Sequence, residues 1–116
     1  MIKDVTFNVS LDTKNCVPCK GGIPPLTEAE AKNFLSQTPL WELKENATKI
    51  YREFNFKNFV KALDFVNKVG AVAEAEAHHP DIQLGWGYVK IYIQTHKING
   101  LHENDFILAS KIDKLI

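Results

Sequence analysis

Apolar and polar positions along the 116-residue chain change period several times, and each change marks an element. Near the start, Val5, Phe7, Val9 and Leu11 alternate with polar residues, which predicts an optional leading strand. Gly21-Gly22-Ile23-Pro24-Pro25 then breaks regular structure. Residues 1–25 therefore read as an N-terminal extension, and 26–116 as the main domain. Thr27 opens a helix, because Glu30 lies at the spacing of a capping box. Ala31, Phe34 and Leu35 form its apolar stripe, and Pro39 follows its end. Leu40 to Phe56 reads as a hairpin. Trp41 and Leu43 alternate with Glu42 and Lys44; Ile50, Arg52, Phe54 and Phe56 make one set in the second run, and Tyr51, Glu53 and Asn55 the other. Glu45-Asn46-Ala47-Thr48 supplies the turn, where Asn tolerates left-handed backbone angles.

Lys57 to Ala77 carries the longest helical period. Phe59, Leu63, Val66, Gly70, Ala73 and Ala77 recur in steps of three and four, with Ala62, Phe65, Val69 and Val72 as a second row beside them. So wide an apolar arc predicts burial against a sheet and against a second subunit, hence a homodimer or homotetramer. Pro80 is expected to end the helix, leaving His78 and His79 at its C-terminus. Ile82, Leu84 and Trp86 alternate, as do Val89, Ile91 and Ile93, giving two strands hinged at Gly85–Gly87. A last helix runs from Leu101 to Leu115, with Phe106, Ala109 and Ile112 at helical spacing. The order α-β-β-α-β-β-α is that of an α+β fold, with helices on one face of an antiparallel sheet.

Composition narrows the function classes. With 14 basic and 14 acidic side chains the formal net charge is zero, so no basic stripe marks a nucleic-acid partner. No apolar run has the length of a signal peptide or a membrane span, so a cytoplasmic, membrane-free protein is expected. Cys16 and Cys19 stand in Cys-Val-Pro-Cys with no second pair to complete a zinc site, and Gly-Gly and Pro-Pro follow at once. They read as a reduced surface turn, with a metal site completed by other ligands or another subunit as the alternative. Joint metal binding with His78 and His79 is disfavoured, because adjacent histidines at a helix end point apart.

Three of the four histidines fall in one pattern: Glu74-x3-His78-His79-Pro80-x5-Trp86-x9-His96-x8-Asp105. Imidazoles give and take protons near neutral pH, and carboxylates beside them suit general acid–base chemistry. Taken singly, Glu74 and His78 would be an i,i+4 surface pair, Trp86 a core residue, His102 the N-cap of the last helix and Asp105 the end of its capping box.

Taken together, the spacing resembles the signature of the pterin-4a-carbinolamine dehydratases, also known as the dimerisation cofactor of a homeodomain transcription factor. The likeness runs from about Pro25 to the C-terminus and includes Phe54-Asn-Phe-Lys-Asn-Phe before the long helix and Gly100-Leu101 before the last. The Cys-Val-Pro-Cys lead-in is similar to microbial and plant members. The resemblance implies a four-stranded antiparallel sheet with three helices on one side. It implies dehydration of a 4a-hydroxytetrahydropterin to a quinonoid dihydropterin plus water, with the pterin as substrate and no cofactor or metal. By the same resemblance His78 and His96 transfer protons, and His79 mainly binds and orients the pterin. Asp105 orients a histidine, Glu74 supports the site, and Trp86, with Pro80 closing the motif, walls the pocket. Ile82, where animal members often carry a large aromatic, bears on pocket shape.

The setting stays open between tetrahydropterin recycling beside an aromatic amino-acid hydroxylase and a pterin role linked to molybdenum cofactor. The rival class is a binding module that stabilises a partner protein through the apolar face of the long helix.

Overall fold

The computed structural model describes residues 10–116. The alternation of Val5, Phe7 and Val9 lies outside the described residues. Leu11, its last member, sits in a short 3-10 turn, Leu11–Thr13, and is buried in the core.

Three helices and four strands follow in the expected order: α1 (Glu28–Leu35), β1 (Glu42–Lys44), β2 (Lys49–Asn55), α2 (Phe59–Glu76), β3 (Asp81–Gly85), β4 (Tyr88–Ile93) and α3 (Glu103–Asp113). The α1 capping box forms as spaced: Glu30 N–H donates to Thr27 Oγ1 at 3.1 Å, and Thr27 N–H donates to Glu30 Oε1 at 2.8 Å. The β1–β2 turn takes three left-handed residues in a row, Glu45, Asn46 and Ala47, with φ of 49°, 58° and 61°. Thr48 closes it, its hydroxyl donating to the Glu45 carbonyl at 2.7 Å.

The sheet is antiparallel throughout, in the order β1-β2-β4-β3. Register puts Ile50 opposite Ile93 and Phe54 opposite Val89. Because side chains alternate between faces, Ile50, Phe54, Val89, Ile91 and Ile93 turn together into the core, while the Tyr51 and Tyr92 rings pack tilted on the other face, centroids 4.7 Å apart. Each fully buried aliphatic or aromatic side chain here contributes about 1.5–3 kcal/mol relative to exposure. Arg52, on the inner face, lies over the Phe54 ring and reaches Asp113 of α3, which also accepts the Trp41 indole N–H.

Of the two apolar rows on α2, the second is the core row. Its Ala62, Phe65 and Val69 are buried, joined by Ala73 from the first row, whereas Phe59 and Leu63 of the first row remain exposed, as does Val60, and a side chain at Gly70 would meet nothing. One sheet face is too narrow to cover the whole arc. Among the described residues, no helix is long and apolar enough to cross a membrane.

Candidate functional site

The end of α2 decides where the two adjacent histidines go. The helix does not run on to Pro80. Ala77 takes a left-handed conformation, φ 54° and ψ 35°. Its N–H donates to the Glu74 carbonyl and the His78 N–H donates to the Ala73 carbonyl, each at 3.2 Å. These are the two bonds of a Schellman ending, formed here without the usual glycine. The reversal sends His78 and His79 to opposite sides. His78 turns inward and its Nε2 meets Asp105 Oδ1 at 2.6 Å. His79 turns outward and its Nε2 meets Glu74 Oε1 at 2.9 Å. The Glu74–His78 pair expected from i,i+4 spacing is therefore replaced by Glu74–His79, because a left-handed residue between them breaks the helical register.

Asp105 has no exposed surface and spends both oxygens. Oδ2 accepts the His102 N–H at 2.9 Å, completing the α3 capping box, and the Thr95 hydroxyl at 2.8 Å. Oδ1 faces His78 alone. The capping role and the histidine-orienting role thus belong to different atoms of one carboxylate. With Oδ1 as acceptor, His78 carries its proton on Nε2, which leaves the Nδ1 lone pair free as a base. His102 caps α3 as spaced, its Nδ1 accepting the Asn104 N–H at 3.0 Å.

His96 arrives from the other side of the chain. β4 ends at Ile93, and Thr95 pairs with Gly100 across a tight loop whose 3-10 turn, His96–Ile98, closes on left-handed Asn99. Gly100 is required there: any Cβ would collide with the Pro25 ring. The loop buries Thr95 against Asp105 and leaves His96 exposed.

A cavity of about 700 Å³ opens between these segments, lined by His78, His79 and Pro80 after α2 and by Gln94, Thr95, His96 and Lys97 after β4. Asp105 stands behind His78, and Glu74 reaches the site only through His79. Trp86 is not part of it. It forms the tip of the β3–β4 hairpin with Gly87 and is 71% exposed, so it walls nothing in this chain. Two-residue strand connections leave their tip side chains in solvent, whatever the alternation before them suggests.

The third side of the cavity is the Cys-Val-Pro-Cys segment, read from the sequence as a surface turn. Cys16 N–H donates to Glu76 Oε1 at 2.7 Å. Asn104, almost wholly buried, grips Val17 at both ends: it accepts the Val17 N–H at 3.0 Å and donates to the Val17 carbonyl at 2.6 Å. Burial, aided by the Glu76 carboxylate, pushes the Cys16 thiol up to about 12, so it is no nucleophile at neutral pH. Burial also pushes the Glu76 carboxyl up, but the Cys16 N–H and Lys111 at 3.3 Å outweigh it and hold Glu76 below its ordinary value. Glu76 and Asn104, and the place of Val17 at the cavity, escaped sequence reasoning because the contacts that bring them together span 60 to 88 residues of chain. A helix-disfavoured Asn just before the apolar run Phe106–Ala109 of α3 was the one local sign. Among the described residues, no three His, Cys, Asp or Glu side chains are placed to hold a metal ion.

The family model for pterin 4 alpha carbinolamine dehydratase matches residues 24–115, which includes the three histidines and Asp105. The chain belongs to the pterin 4 alpha carbinolamine dehydratase family. A Methylococcus capsulatus protein named "Putative pterin-4-alpha-carbinolamine dehydratase" is 62% identical over 106 residues, covering 91% of this chain and 93% of that protein. A protein of the same name from Halorhodospira halophila is 59% identical, covering 92% and 98%. The crystal structure of a transcriptional coactivator/pterin dehydratase from Brucella melitensis superposes with a TM-score of 0.74 at 31% identity, over 78% of this chain and 97% of that one. The dehydratase family therefore accounts for both the fold and the histidine spacing.

Proposed function

We propose that the cavity dehydrates a 4a-hydroxytetrahydropterin by histidine general acid–base catalysis. The observation that carries the reading is the meeting of His78, His79 and His96 around one cavity, with His78 held by the buried Asp105. Loss of water from the carbinolamine needs two proton movements. The 4a-hydroxyl leaves poorly unless protonated, and ring nitrogen N5 must give up its proton. His78, held through Nε2 by Asp105, takes the N5 proton on Nδ1. The C4a–N5 double bond forms and the C4a–O bond breaks, while His96 delivers a proton to the departing oxygen. Water and a quinonoid dihydropterin result, and the two imidazoles exchange their proton with solvent. His79, exposed and tied to Glu74, contributes to holding the substrate.

Purified protein mixed with freshly generated carbinolamine should accelerate the appearance of quinonoid dihydropterin. His78→Ala and His96→Ala should each lower turnover by about 10²–10⁴-fold, the usual worth of a positioned acid or base. Full activity in either variant, with the wild type active, would remove that residue from the chemistry.

The exposed row Phe59, Val60 and Leu63 on α2 favours self-association as a dimer or tetramer. Light scattering at micromolar protein checks this; a monomer mass would count against it.

A further inference from the structure

The cavity has three sides of unlike chemistry. Two carry the imidazoles, and the third, residues 16–19, presents Val17 and Pro18 to the cavity and bears no formal charge. Val17 is 57% exposed, so the hydrophobic core does not hold it in place. Buried polar groups do so instead. The Asn104 amide bonds both backbone groups of Val17, Glu76 accepts the Cys16 N–H, and the Cys16 thiol donates to the Asn104 carbonyl at 3.5 Å. Burying an amide and a carboxylate is costly unless each is satisfied. Here the Asn104 amide is satisfied by the backbone of a segment that lies outside any strand or helix, and Glu76 by the Cys16 N–H of that segment together with Lys111. The arrangement fixes an apolar surface at the edge of a polar cavity.

We infer that residues 16–19 are the substrate-binding wall of this pocket, the surface on which the planar pyrimidine half of a pterin lies, and that Asn104 and Glu76 are positioning residues that hold it. A flat heterocycle with polar edges needs an apolar face to lie against, while the groups that act on it come from the sides. The histidine walls supply the second requirement, with Ala75, Ala77 and Pro80 as their apolar share, and the uncharged segment faces them. The inference rests on the pterin reading above, but it concerns binding rather than proton transfer. Loss of the wall should weaken the complex and leave the chemical step alone.

The test uses the full chain, its Val17→Ser variant and its Asn104→Ala variant, with His96→Ala as control. Pterin itself, which fluoresces and does not react, reports the Kd; the carbinolamine assay reports KM and kcat; a thermal melt reports folding. For Val17→Ser, Kd and KM should rise together by roughly 3- to 10-fold, the factor carried by one or two methyl groups buried against a ligand. The melt should be unchanged and kcat should stay within about twofold. Asn104→Ala should raise both constants at least as much. A folding defect alone would lower apparent kcat at constant KM, so the pattern separates positioning from stability. His96→Ala should do the reverse, lowering kcat at constant Kd. Wild-type Kd in both wall variants, with catalysis intact, overturns the wall and spares the catalytic reading. Binding that weakens in Val17→Ser, in a wild type that dehydrates nothing, overturns the catalytic reading and supports the wall. No pterin binding by the wild type overturns both.

Discussion

At the inner corner of the pocket, the His78 side chain is 13% exposed against a carboxylate with no exposure at all; at the rim, one residue on, His79 and Glu74 are 62% and 82% exposed. The two pairs have nearly equal lengths, 2.6 and 2.9 Å, yet differ in what they can do. Water screens the rim pair and competes for both partners, so it fixes little. The corner pair is shielded, and the carboxylate is held by two further hydrogen bonds, so the imidazole tautomer and orientation are set. On the proposed function, adjacent residues of the same type divide the work: the corner would serve proton transfer and the rim adaptable contact with substrate.

The largest break in that contrast should come from Asp105. Asp105→Ala removes its half of the α3 capping box and leaves the Thr95 hydroxyl and His102 N–H without a partner. We expect a loss of about 2–4 kcal/mol of stability in denaturant melts, and turnover reduced by at least about 10²-fold. Asp105→Asn keeps the shape and an acceptor for the cap but not the charge facing His78. It should recover most of the stability and little of the turnover.

Substituting the two histidines sharpens the same contrast. His78→Ala should cost mainly kcat, whereas His79→Ala should raise KM several-fold with kcat within an order of magnitude. Steady-state kinetics on the two variants would contradict the division if the effects were equal or reversed.

A third measurement moves to the wall. Glu76 titrates below its ordinary value of 4.5 when folded, so the unfolded chain binds its proton first. Its contribution to stability is therefore complete above about pH 4.5 and is lost as the pH falls through the lower folded value. Glu76→Gln should lower the melting temperature at pH 7. The gap between variant and wild type should close as the pH is taken below 4, in melts recorded across that range.

The smallest effect should be favourable. Ala77 takes a backbone conformation that disfavours side chains, with φ at 54°. Ala77→Gly should stabilise the fold by about 0.5–1 kcal/mol, raising the melting temperature by a few degrees, while leaving His78 on Asp105. Faster proton transfer in this variant would mean that the reversal at Ala77 strains the corner as well as aiming it.

What the sequence by itself determined lies within a turn or two of chain. Thr27–Glu30 and His102–Asp105 are capping boxes because three-residue spacing makes them so, and period-two alternation put Ile50 and Phe54 on the face opposite Tyr51. The histidine spacing was enough to pick out three residues that line one cavity. Which carboxylate met which histidine was decided by the tertiary structure, because one left-handed residue at Ala77 redirects everything after it. The same holds for α2, whose two apolar rows look equivalent until a sheet of finite width covers one of them. Trp86 could alternate like a strand residue and still end in solvent, since the Gly87 turn follows it. The Cys-Val-Pro-Cys segment is the extreme case. Its partners Glu76 and Asn104 are distant in the chain, no local pattern encodes such a contact, and only the assembled α2–α3 corner brings them within hydrogen-bond reach.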